Sequence, residues 1–131
     1  MKTFSVSFPE GKKVDVTVDS HTIKTDQSPD SGGQGSAPEP FDLFLSSLAA
    51  CAGIYAKSFC DYRNLSTQGM HLTQTVSFNP EKGMIEDIRI TLVVNPDFPE
   101  KYNTAILKSM NGCAVKRHLN QDIPITVTLS R

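Results

Sequence analysis

Pro40-Phe41-Asp42-Leu43-Phe44-Leu45-Ser46-Ser47-Leu48-Ala49-Ala50-Cys51-Ala52-Gly53-Ile54-Tyr55-Ala56 is the stretch whose reading decides the fold of this 131-residue chain. It reads as a long helix, apolar on nearly every face, with a thiol in its middle. A helix that is hydrophobic all round has to be covered on all sides. A single domain of this length has little mass with which to surround one. Either the helix enters a membrane or a second subunit covers it. Asp42, Ser46, Ser47 and Lys57 break the run, which falls short of the roughly 18 uncharged residues that mark a membrane span. The second subunit is therefore the expectation.

Composition agrees with a globular domain. The chain is 38% hydrophobic and 21% charged, and its length fits one domain spanning residues 1–131. A net charge of −1 without a Lys/Arg cluster gives no electrostatic case for nucleic acid or a membrane surface. Met1-Lys2-Thr3-Phe4-Ser5-Val6 has no apolar signal core, and three cysteines form no disulfide scaffold, so a reducing cytoplasm is expected.

Working outward from the helix, Thr3–Phe8 and Lys13–Val18 alternate apolar and polar residues as half-buried strands do, with a turn at Gly11. His21–Thr25 reads as a third strand. Asp26 to Pro40, rich in Ser, Gly, Asp and Pro, is a loop, and loops of this length are usually functional or disordered. Beyond the helix, which is expected to end near Tyr62 or Arg63, Gln74–Phe78 and Ile85–Val94 read as strands. Helices follow around Glu100–Met110 and Cys113–Asn120, and Ile123–Leu129 reads as a last strand. This order, β-β-β-α-β-β-α-α-β, is an α+β pattern.

The cysteines carry the candidate chemistry. Cys51 and Cys60 are separated by about 13 Å of helical rise and face opposite sides. Disulfide Cα atoms lie within about 7 Å, so these two cannot bond while the helix stands. Cys60 reads as a small buried hydrophobe. Cys113 follows Asn111-Gly112 and opens a short helix, where free N–H groups stabilise a thiolate and Lys116 and Arg117 add positive potential. Cys51 lies too far into its helix to gain from the dipole, and spacing alone leaves it open between structural and reactive roles. Cys113 and His118, with Cys51, His21 or His71, lack the short spacing of a zinc site. Gly32-Gly33-Gln34-Gly35 lacks the ending of a phosphate loop. No metal or cofactor is expected.

Pro40 to Cys51, following a Gly-rich loop, resembles the central-helix motif of the OsmC/Ohr family of osmotically inducible and organic hydroperoxide resistance proteins. Cys113-Ala114-Val115 with Leu119 resembles the family's second motif, Cys-Pro-Val followed by a leucine. The resemblance covers nearly the whole chain. It implies an OsmC-like fold: an intertwined homodimer with two long buried central helices wrapped by antiparallel β-sheets. It also implies that Cys51 is the peroxidatic thiolate and Cys113 the resolving thiol, with an external dithiol as reductant and a small hydroperoxide as substrate. The alternatives are a non-catalytic member that binds a small apolar or thiol ligand in the dimer cleft, or a redox sensor. Lys24, Phe41, Asp42, Phe44 and Tyr55 are the candidate cleft residues.

Two departures bear on activation. Active relatives carry an Arg before the helix and a Glu ten residues before the cysteine. Here the first arginine is Arg63, Phe41 stands ten before Cys51, and Asp42 stands nine before it. A buried thiol without a neighbouring cation is expected to have a raised pKa.

Overall fold

In a computed structural model, residues 1–130 are described. The chain divides into two compact units, Met1–Ser46 and a second from Ser47 onward. The first contains β1 (Ser5–Ser7), β2 (Val14–Val18) and β3 (His21–Thr25) in an antiparallel sheet of that order. Val16 pairs with Val6 on one side and Ile23 on the other. These are the strands that the apolar–polar alternation marks out. The β2–β3 hairpin turns through Asp19, whose φ of 52° is a left-handed conformation that aspartate tolerates.

The Ser/Gly/Pro-rich loop is ordered around one carboxylate. Asp26, 1% exposed, accepts hydrogen bonds from the Ser36 hydroxyl at 2.6 Å and the Ser36 amide at 3.0 Å. The Gln27 and Gln34 amides complete the shell at 2.8 and 3.3 Å. These donors, Ser36 foremost, lower the carboxyl pKa from 3.8 to about 2. Gly33 makes the turn possible, because a Cβ there would stand 2.1 Å from the Gln27 carbonyl oxygen.

The helix α1 (Pro40–Tyr62) starts in the first unit and continues into the second. Pro40 suits its first turn because its missing N–H has no helical partner there. The Asp42 and Leu43 amides close onto the Glu39 carbonyl at 3.0 and 3.3 Å. At the far end Asn64 takes a left-handed φ of 52° and the Leu65 amide reaches the Cys60 carbonyl at 2.9 Å, a Schellman-type stop.

The second unit adds β4 (His71–Phe78), β5 (Ile85–Val93), α2 (Asn103–Asn111) and α3 (Ala114–Leu119), with a 3-10 turn at Glu100–Tyr102. β4 and β5 form a hairpin in which Leu72 faces Leu92, Gln74 faces Ile90 and Val76 faces Ile88. Leu48, Ala52, Ala56, Phe59 and Cys60 are the buried stripe of α1, at the three-to-four spacing of one helix face. Ala52, Ala56, Phe59 and Cys60 pack with Phe98, Ile106 and Met110, and Leu72, Ile90 and Leu92 of the hairpin lie against this core. Arg63 caps it, its guanidinium 3.6 Å from the Phe59 ring centre and 3.2 Å from the Phe59 carbonyl.

In a single copy α1 is covered along one stripe only, and Ala50 and Ile54 on another face are exposed. By length and composition alone the helix could cross a membrane, a test that core helices also pass. The segment Ile123–Leu129 forms no strand, although its apolar residues alternate. Ile125, Val127 and Leu129 are 83–91% exposed. Alternation marks which residues face one way, and a strand forms only where a neighbour offers backbone partners.

Candidate functional site: a cysteine pair at the α1–α3 corner

Cys51 lies halfway along α1, one residue before the buried Ala52, and is half-buried. Cys113 is 1% exposed and stands at the start of α3. All three cysteines are free thiols. What brings Cys113 to α1 is the tight corner between α2 and α3. The Gly112 and Cys113 amides donate to the Ser109 and Met110 carbonyls at 3.0 and 3.1 Å. A Cβ on Gly112 would lie 3.2 Å from the Ser109 carbonyl oxygen and 3.6 Å from the Tyr55 ring. The tight contact is with the corner's own carbonyl, so glycine eases the turn itself, while the approach to Tyr55 is an ordinary van der Waals distance. The Ser109 hydroxyl also donates to the Tyr55 carbonyl at 3.5 Å.

The two thiols lie close enough to perturb one another, and the pair is electrostatically asymmetric. Burial pushes the Cys51 thiol up. A hydrogen bond from Cys113, donated bonds from the Val115 and Ala114 amides and the charge of Arg117 outweigh burial and hold Cys51 below the ordinary thiol value. The Cys113 thiol is pushed up, first by burial and then by its hydrogen bond to Cys51. The two thiols are therefore shifted in opposite directions, Cys51 toward easier ionisation and Cys113 away from it.

This reverses two expectations. The Ala114 and Val115 N–H groups favour ionisation of Cys51 across the corner, whereas at Cys113 burial and the neighbouring Cys51 outweigh the Lys116 and Val115 N–H groups, so the residue that begins the helix is not the activated thiol. Cys51 is also held below rather than above the ordinary thiol value, with the charge of Arg117 adding the smallest of the contributions that lower it. The sequence signal was present, an arginine one turn into the helix that Cys113 opens. Nothing in the spacing said that its charge reaches the other cysteine.

The remaining candidates have different surroundings. Cys60 is fully buried and its thiol is pushed up by burial, as a core residue's is. The rings of Phe41 and Phe44 stack in the first unit with centres 5.5 Å apart, and Asp42 is exposed in the first turn of α1. Lys24 lines a polar cleft of the first unit with Glu10, Lys13 and Asp15, and it is not among the groups that shift Cys51. Tyr55 stands one turn after Cys51, its ring against Gly112. A cavity of about 460 Å³ in the second unit has Cys113 in its wall. Another, of about 390 Å³ at Leu65 and Phe98, holds none of the thiols. Among the described residues no group of three or more His, Cys, Asp or Glu side chains is placed to hold a metal ion.

Solved structures share this architecture. A Psychrobacter arcticus protein described as an osmotic stress induced and detoxification response protein superposes with a TM-score of 0.75 at 20% identity, over 89% of this chain and 87% of that one. An organic hydroperoxide resistance protein of Legionella pneumophila gives 0.55 at 18% identity, over 90% and 89%. The organic hydroperoxide resistance protein OhrB of Bacillus subtilis gives 0.53 at 18%, over 90% of each chain. No curated protein sequence matches the chain. The OsmC-like protein family model matches residues 33–128, a span that includes the whole of α1, both strands of the second hairpin and the Cys113 corner. With the fold and the greater part of the sequence in agreement, this chain belongs to the OsmC family.

Proposed function

We propose that the protein is a thiol-dependent reductase of organic hydroperoxides, with Cys51 as the attacking thiolate and Cys113 as the resolving thiol. The observation that carries this reading is the asymmetric thiol pair: Cys51 is held below the ordinary thiol value while its neighbour Cys113 is pushed above it. The Cys51 thiolate attacks the terminal oxygen of R–O–O–H. The O–O bond breaks, Cys51 becomes a sulfenic acid, and the alkoxide takes a proton and leaves as ROH. The Cys113 sulfur then attacks the sulfenic sulfur. Its proton leaves with the hydroxyl as water, and a Cys51–Cys113 disulfide forms. A thiol already in contact captures the sulfenic acid before a second peroxide oxidises it. The hydroperoxide resistance proteins among the structural relatives support this chemistry at the level of the family.

A homodimer is part of the proposal. Support comes from the exposed Ala50 and Ile54 on α1 and from the exposed, alternating Ile123, Ile125, Val127 and Leu129. These are surfaces a second copy would take out of water. The working cycle needs free thiols, which a reducing cytoplasm maintains.

The test mixes reduced protein with cumene hydroperoxide and follows each cysteine by peptide mass. Cys51 should oxidise first and join Cys113. In Cys113→Ser a sulfenic acid on Cys51 should be trapped by dimedone. Oxidation of Cys60 or Cys113 with Cys51 unmodified would overturn the assignment. A monomeric mass at micromolar concentration would overturn the dimer.

A further inference from the structure

One torsion separates α2 from α3. Gly112 ends α2 with φ −78° and ψ 0°, and Cys113 then leaves the helical region with ψ 128°. The backbone hydrogen bonds of Cys113 lie on opposite sides of that torsion. Its amide donates back to the Met110 carbonyl at 3.1 Å, and its carbonyl accepts forward from the Arg117 amide at 3.0 Å. A turn about the Cys113 Cα–C bond therefore swings α3 without breaking either of them. Among the described residues no backbone–backbone hydrogen bond ties α3 to α2 across this bond.

One side-chain contact does cross it. The Lys116 ammonium group donates to the Asn111 amide oxygen. The Asn111 amide nitrogen in turn donates to the Leu107 carbonyl at 3.0 Å, one turn back in α2. These two partners fix which end of the Asn111 side chain faces Lys116. Asn111 precedes Cys113 and Lys116 follows it, so the tie closes a short ring around the cysteine.

We propose that Asn111 and Lys116 are positioning residues whose tie holds the Cys113 torsion and so sets where the first turn of α3 stands relative to Cys51. This rests on Cys51 as the attacking thiolate of the proposed function. Against burial, Cys51 is lowered by Cys113, by the Val115 and Ala114 amides and by the Arg117 charge. The last three groups belong to α3 and move with the torsion. Hydrogen bonds weaken steeply once donor and acceptor are misaligned, so a small swing of α3 is felt at the Cys51 sulfur. Asn111 and Lys116 are both exposed, and a surface contact of this kind contributes little to stability. A positioning role and a merely structural one therefore differ in what they change.

The experiment follows iodoacetamide alkylation of Cys51 against pH in reduced protein, by peptide mass, with Tm measured alongside. Asn111→Ala removes the acceptor and keeps the Lys116 charge, and Ala is a strong helix former at this exposed helix end. The curve should move to higher pH, with the acid dissociation constant of Cys51 lowered about threefold and Tm within about 3 °C of the wild type. Lys116→Arg keeps a donor and the charge and should leave the curve in place. Lys116→Met removes both, and adding Asn111→Ala to it should move the curve no further, because the tie is already gone. An unmoved curve in Asn111→Ala would overturn the proposal, and so would an equal shift from Asn111→Ala with and without Lys116→Met. A shift that comes with a large loss of Tm would make the pair structural and overturn it as well. Alkylation needs no peroxide, so the two readings fail separately. If the curves move as stated while cumene hydroperoxide leaves Cys51 unmodified, the peroxidase reading falls and the positioning pair stands. If Cys51 oxidises and joins Cys113 while the Asn111→Ala curve stays in place, the pair falls and the peroxidase reading stands.

Discussion

Ala114→Pro isolates one donor to the Cys51 thiolate and leaves the rest of the corner in place. Position 114 is the first residue of α3, after the capping residue Cys113. Proline is tolerated at that position, because its ring presets the helical φ and the N–H it lacks has no partner within the helix. A residue before proline is confined to extended backbone, and Cys113 already has φ −47° and ψ 128°. The corner can therefore accept the ring. What is lost is the Ala114 N–H that donates to Cys51 Sγ.

A hydrogen bond to a charged acceptor contributes about 1.5–3 kcal/mol when well made. Sulfur is a weak acceptor and Cys51 is only half-buried, so a value near 1 kcal/mol is the appropriate scale. With about 1.4 kcal/mol per tenfold change, the acid dissociation constant of Cys51 should fall roughly fivefold. The assay is the pH dependence of iodoacetamide alkylation at Cys51, read by peptide mass. The curve for Ala114→Pro should move to higher pH and reach a plateau within about twofold of the wild-type one, because the thiolate's intrinsic nucleophilicity changes little. Ala114→Ser keeps the N–H and should leave the curve in place. An unmoved curve in a folded Ala114→Pro protein would refute the claim that α3 amides hold the thiolate. A fallen plateau would instead mean that the ring had displaced the cysteines.

Two predictions concern stability. As pH falls, the unfolded chain protonates Asp26 near 3.8 while the folded loop resists until about 2. The contribution of this carboxylate is present above 3.8 and is lost between these values. The denaturation midpoint of Asp26→Asn should fall less steeply than the wild-type one over that window, and parallel curves would refute the assignment. Ile106, 2% exposed in the core with Phe59 and Met110, should cost about 2–5 kcal/mol on truncation to Ala, read as a fall of roughly 10 °C in Tm. A change of only a degree or two would mean that α2 does not close this core.

Much of the architecture was legible in the residues. Val14, Val16 and Val18 alternate with polar neighbours and form β2, and Leu72 and Val76 alternate in the same way in β4. Pro40 and Asn64 bracket the long helix because each has a local backbone preference that needs no distant partner. Leu48, Ala52, Ala56, Phe59 and Cys60 carry the spacing of a buried face. The family motif pointed to the two cysteines that the fold brings together.

The sequence by itself determined the elements, the turns and the identity of the candidate thiols, since each depends on interactions within a few residues. Only the tertiary structure decided which thiol is shifted toward ionisation and which away from it. That outcome depends on how the corner sits against α1, and on how the Ala114, Val115 and Lys116 amides and the Arg117 charge are shared between Cys51 and Cys113. Coulomb and hydrogen-bond energies fall off with distance in space, and separation along the chain does not set that distance. The same reason separates Ile123–Leu129, which alternates like a strand, from β4 and β5, which have each other to bond to.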